Sequence, residues 1–154
     1  NYPLKHIKGC KKYDFTDINN ENILFTPQNN FKLLDWRQNF SGQSLDFGDT
    51  YYDLAKFKHG LLVNHEMVSK DLFSIHEIRL NEFQISIPQY SNLIECDIAL
   101  SDWVNRNHYS LEKVNILTAL IFINICGLHE YPYAKFLYFY GQNLLNKFLA
   151  KVSI

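Results

Sequence analysis

Asp17, Asn22 and Asp35 carry oxygen groups whose spacing suits phosphoryl transfer. Asn22 lies five residues after Asp17, and Asp35 follows thirteen residues later. In that chemistry one carboxylate accepts the proton of an attacking hydroxyl. An amide oxygen and a second carboxylate hold magnesium ions on the nucleotide phosphates. The plain alternative is a turn, because "DFTDINNENILF" (Asp14 to Phe25) is dense in Asp and Asn, which favour turns and solvent. Asp35 is harder to dismiss. A carboxylate between Leu34 and Trp36, closing an apolar run, needs a partner. A metal ion would serve, and so would Arg37 as a simple ion pair.

These groups have to be positioned by local elements. "NILF" (Asn22 to Phe25) and "FKLLDW" (Phe31 to Trp36) are short apolar runs separated by "TPQNN", which predicts a β-hairpin. A hairpin returns the chain beside its own start and so brings Asn22 back towards Asp35. "RQNFSGQSLDFGDT" reads as a loop. From Tyr51 the apolar residues Leu54, Phe57, Leu61 and Leu62 recur at helical spacing. "FSIHEIRLNEFQISI" alternates like a second hairpin, with Asn81 and Glu82 at its turn and Pro88 ending it. Asn92 to Asn105 reads as an amphipathic helix. Ser110 is a candidate N-cap for a helix from Leu111 to about Leu128. Pro132 breaks the pattern, and Ala134 to Leu149 forms a last helix. Strands come first and helices after, so the fold class is α+β, one domain over residues 1–154.

Taken together, "FTDINNENILFTPQNNFKLLDWR" and "FGDTYYDLAKFKHGL" resemble the aminoglycoside phosphotransferase and choline kinase group of small-molecule kinases. The resemblance covers Phe15 to about Leu62. It puts Asp17 at the catalytic base, Asn22 and Asp35 at the metal ligands, and Asp53 at an acidic residue that supports the catalytic loop. Asp49 is a weaker match to a second supporting position. The implied reaction is ATP-dependent phosphorylation of a hydroxyl on a small molecule such as choline, a sugar or an amino sugar, with Mg2+ as cofactor. In texture the fit is to bacterial members associated with cell-surface sugar or choline metabolism. The fold implied is the kinase-like C-terminal lobe, a catalytic-loop hairpin followed by a mainly helical subdomain.

Two departures qualify the match. Phe15 and Thr16 stand where the family has His and Gly, which motivates an alternative: a non-catalytic kinase-like module that binds a ligand or partner. Only sixteen residues precede Asp17, too few for the family's ATP-gripping N-terminal lobe, and no GxG occurs. The expectation is that the chain, beginning at Asn1, is the C-terminal lobe of a longer polypeptide. Its missing N-terminal lobe is then a partner, along with the alcohol substrate. An apolar docking face left exposed would favour homo-oligomers. A third possibility is a helical structural domain that matches the motif by accident.

Composition narrows the remaining classes. An apolar fraction of 47% over 154 residues supports a real core and excludes disorder. A net charge of −1 offers no electrostatic reason to bind nucleic acid or an anionic membrane. Cys10, Cys96 and Cys126 form no CxxC pair, which argues against a zinc site or a disulfide framework and fits the cytoplasm. The six histidines form no metal-binding spacing. "VNILTALIFINICGL" (Val114 to Leu128) is shorter than a membrane span and carries Asn115, Thr118 and Asn124, so it is expected to be a buried core helix. Trp103, Glu130, Tyr131 and Tyr133 are candidates for walling a pocket for a cationic substrate, with aromatic helix packing as the plainer account.

Overall fold

Short polar turns set the strands, and side-chain caps start three of the helices. The structure, a computed structural model, describes residues 23–33, 39–40, 43–44, 49–80 and 82–152. Strand β1 (Ile23–Phe25) pairs antiparallel with β2 (Phe31–Leu33), and Ile23 stands opposite Leu33. The turn between them closes through the Thr26 N–H donating to the Asn30 carbonyl at 2.8 Å and the Asn30 N–H donating to Thr26 Oγ1 at 3.3 Å. Asn29 takes a left-handed backbone, φ 58°, which asparagine tolerates better than most residues. The segment read as a loop contains a second, smaller hairpin, β3 (Asn39–Phe40) with β4 (Gln43–Ser44). Strands this short leave no alternation to detect.

Helix α1 (Thr50–Leu62) begins at Asp49, whose carboxylate accepts the Tyr51 N–H at 2.9 Å. A five-residue helix, α2 (His65–Ser69), follows and was not foreseen. Asn64 caps it by accepting the Met67 N–H, and Met67 is buried. The expected second hairpin is present as β5 (Ser74–Arg79) and β6 (Glu82–Ser86), with a register shift between Glu77 and Arg79. Glu82 belongs to the strand and pairs with Arg79, so the turn sits one residue earlier than the sequence suggested.

Helices α3 (Ser91–Arg106), α4 (Leu111–Ile125) and α5 (Tyr133–Val152) complete the chain, with a 3-10 turn over Cys126–Leu128. Ser110 caps α4 as expected, its hydroxyl accepting the Lys113 N–H at 3.1 Å. The fold is α+β and mostly helical, with its described strands in two-stranded antiparallel pairs. Helix α4 is central and packs chiefly on α5 and α1. Val114, Thr118, Ala119, Ile121 and Phe122 form its buried side. At Gly141 the α5 backbone comes close to α4. A Cβ there would meet the Ala119 carbonyl at 2.9 Å and Ile123 Cγ1 at 2.8 Å. Val63, Phe122, Phe136 and Leu137 form the core cluster, and Phe73, Ile75, Ile85 and Ile87 cover it from the β5–β6 side.

The core expectation for α4 holds on one side only. Leu120 and Leu128 are exposed, and the stretch Leu111–Leu128 is long and apolar enough to cross a membrane by length and composition. Its apolar residues run around the helix, which the 3.6-residue pattern does not sort into a single stripe.

Candidate active site

Helix α1 is the described element that carries two of the expected site residues, Asp53 and its N-cap Asp49. Its residues step round the axis by about 100° each. Tyr51, Ala55, Lys58, His59 and Leu62 share the side that meets α3 and α4. The Thr118 hydroxyl of α4 shares its one proton between the Val114 carbonyl of its own helix at 2.8 Å and the Ala55 carbonyl of α1 at 3.3 Å, the His59 ring centroid lies 4.2 Å from that of Phe122, and Lys58 pairs with Asp97 of α3. Asp53 and Gly60 are also buried, yet they lie on the other side of the helix, and the buried Leu61 lies on its flank. Burial on both sides makes α1 an interior helix.

Asp53 therefore occupies a demanding place. It is 7% exposed, in the first turn of α1, about 200° round the helix axis from Tyr51. A carboxylate so buried must be compensated by polar partners or by a favourable field. Position in the first helical turn supplies part of that, because the N-terminal end of the helix dipole favours negative charge. Asp49 is exposed and serves as the N-cap. Capping alone accounts for an acidic residue at that position.

Asp17, Asn22 and Asp35 lie outside the described residues, as do Phe15, Thr16 and Trp36. Among the described residues no three His, Cys, Asp or Glu side chains gather to hold a metal ion. The sequence expectation gives Asn22 and Asp35 as metal ligands, and an amide oxygen with a carboxylate is the hard donor set that magnesium prefers.

The four candidates for a substrate wall fall at two places. Trp103, 44% exposed, stacks on Tyr109 with ring centroids 5.9 Å apart. Tyr109 meets the edge of Tyr51, the Lys113 ammonium lies 3.9 Å from the Tyr51 ring centroid, and the Ser110 N–H donates to the Tyr51 hydroxyl. That group surrounds the start of α4. Glu130 and Tyr131 are exposed just beyond its end, followed by Tyr133. The 15 residues of α4, about 22 Å at 1.5 Å per residue, separate the two places. Tyr133 turns inward, with its ring 5.1 Å from that of Phe73 and 4.9 Å from that of His129. Burial pushes its hydroxyl up to about 12.

Sequence reasoning passed over one group. Lys58 is only 5% exposed and forms an ion pair with Asp97, whose side chain is 28% exposed. Burial and the negative charge of Asp97 push the nearby Tyr140 hydroxyl up to about 12. The available signal was a lysine four residues before Leu62 and three after Ala55, on the inward side of α1.

Comparison with protein-family models, with curated proteins and with solved structures finds no match for this chain.

Proposed function

We propose that the chain is the C-terminal, catalytic lobe of an ATP-dependent phosphotransferase acting on a hydroxyl of a small molecule such as choline, a sugar or an amino sugar. Asp17 orients the alcohol and takes its proton as the bond from the alcohol oxygen to the γ-phosphorus of ATP forms and the bond from that phosphorus to the bridging oxygen breaks, releasing ADP. Asn22 and Asp35 would hold magnesium, which neutralises charge on the nucleotide phosphates when bound. Asp53 supports the loop that carries Asp17. An ATP-gripping lobe of the same polypeptide completes the site, and its need for ATP places the activity in the cytoplasm.

The observation that supports this reading most is the β1–β2 register. Strand β1 starts one residue after Asn22, β2 ends two residues before Asp35, and Ile23 faces Leu33. In sequence, Asn22 directly precedes β1 and Asp35 follows β2 by two residues, an order that supports shared ligation of one ion cluster. The buried Asp53 at the head of an interior helix is consistent with the same arrangement.

The test is ADP release over a panel of small alcohols, in a polypeptide that includes the ATP-gripping lobe. Asp17→Asn is expected to lower kcat by about 10²–10⁴-fold with nucleotide affinity nearly unchanged. Asp35→Asn should weaken magnesium-nucleotide binding as well. Small and equal effects from the two changes would remove both residues from the chemistry. The substitution of Phe15 and Thr16 for His and Gly favours a second reading, a non-catalytic kinase-like binding module. Nucleotide binding without any alcohol-dependent ADP release would select it.

A further inference from the structure

We infer that the outer edge of β6 is a self-complementary docking surface, on which β6 of a second copy of this chain pairs antiparallel to make a four-stranded sheet. The inference is independent of the phosphotransferase reading. It rests on a contrast between the two strands of the second hairpin. Strand β5 carries the features that discourage strand addition. His76, Glu77 and Arg79 are exposed along it, and the register shift between Glu77 and Arg79 breaks its line. Strand β6 carries none of these beyond Glu82. From Phe83 to Ser86 it is uncharged and alternates half-buried apolar with exposed polar residues. Among the described residues no backbone hydrogen bond joins β6 to anything but β5. Its apolar side is also incompletely covered. The Phe83 ring centroid lies 4.3 Å from that of Phe139 and 4.2 Å from the Lys135 ammonium, and Ile85 packs on the core cluster, yet both Phe83 and Ile85 stay half-buried.

The residue pattern selects the occupant. Residues directly opposite in an antiparallel pair share a face of the sheet. A two-fold axis normal to the sheet and centred on Gln84 pairs the whole of β6, Glu82–Ser86, with its copy. Phe83 of each copy then stands opposite Ile85 of the other, Glu82 opposite Ser86, and Gln84 opposite its own copy. Apolar meets apolar on the core side, and the outer side brings together an amide pair and two carboxylate–hydroxyl pairs. The same operation on β5 would set Ile75 against Glu77 and the His76 imidazole against its own copy. Five residues on each side bury well under the roughly 1,200 Å² of a standard interface, so the dimer is weak and depends on concentration.

The experiment is sedimentation of the 154-residue chain over a range from about 1 µM to about 500 µM, where small interfaces associate, with amide exchange read at both ends of the range. The chain should pass from one chain mass to twice that mass. Amides of residues 82–86 should slow at the high concentration more than those of residues 74–79. A monomer throughout overturns the inference, and so does a dimer whose protection falls outside β6. Two changes at the exposed Ser86 test the register with opposite signs, because each faces Glu82 twice in the two-fold pair. Ser86→Lys should tighten the dimer by about 5-fold and Ser86→Glu should weaken it by about the same factor. Equal association by the two variants overturns the pairing. Circular dichroism at the low concentration identifies a variant that fails to fold, and the other then decides against wild type.

Discussion

Two aromatic groups stand at opposite ends of α4, and they differ in what surrounds them. Around its start, Trp103 is exposed and Tyr51 and Tyr109 are half-buried, with Lys113 over one ring. Towards its end, Phe122 and Phe136 are fully buried and Phe73, Tyr133 and Tyr140 pack against that core. The sequence is aromatic in both places. One group contributes to the stability of the whole domain, and the other decorates a junction between α1, α3 and α4. The difference shows that aromatic density marks packing or a surface platform according to depth alone. A substrate wall drawn from both groups would have to bridge the length of α4.

The largest expected effect is at the inner group. Phe136 is fully buried and contacts three other rings, so Phe136→Ala should cost about 3–5 kcal/mol in a denaturant titration. Trp103→Ala, at a half-exposed site with one stacked neighbour, should cost about 1 kcal/mol. Equal costs would erase the distinction between the groups.

An intermediate effect is the pH response. The hydroxyls of Tyr133 and Tyr140 are held up to about 12, from an ordinary value of 10.0, chiefly by burial. Between those values the unfolded chain has released these protons and the folded chain still holds them. Stability is therefore complete below pH 10 and falls as pH rises towards 12. Denaturant midpoints across that window, together with tyrosinate absorbance, check it. A midpoint flat through pH 11 would mean that these hydroxyls reach solvent.

The smallest effect belongs to the outer group. Tyr51→Phe removes the acceptor of the Ser110 N–H and keeps the ring under Lys113. It should cost about 0.5–1.5 kcal/mol. A larger loss would show that the junction at the start of α4 bears more of the fold than its exposure suggests.

Much of the local structure was legible before any coordinates. "TPQNN" marks the first turn, Ser110 starts α4, Pro88 follows the second hairpin and Pro132 precedes α5. These signals act over a few residues, through fixed φ, missing donors and side-chain caps. The β3–β4 pair and α2 escaped because two- and five-residue elements have no period to detect. Of the expected site, the hairpin between Asn22 and Asp35 and the helix carrying Asp53 are present, whereas Asp17, Asn22 and Asp35 lie outside the described residues.

What the sequence by itself determined is the succession of elements, because each turn and cap is decided by its immediate neighbours. Depth was decided only by the tertiary structure. Asp53 and Lys58 are both charged residues on a helix that reads as amphipathic, and both are buried because α1 is enclosed on two sides. Lys58 meets Asp97 from 39 residues away along the chain. Tyr131 is open to solvent while Tyr133, two residues on, turns into the core. Burial depends on which surfaces other elements cover, and that sum over distant segments is not encoded at any one position.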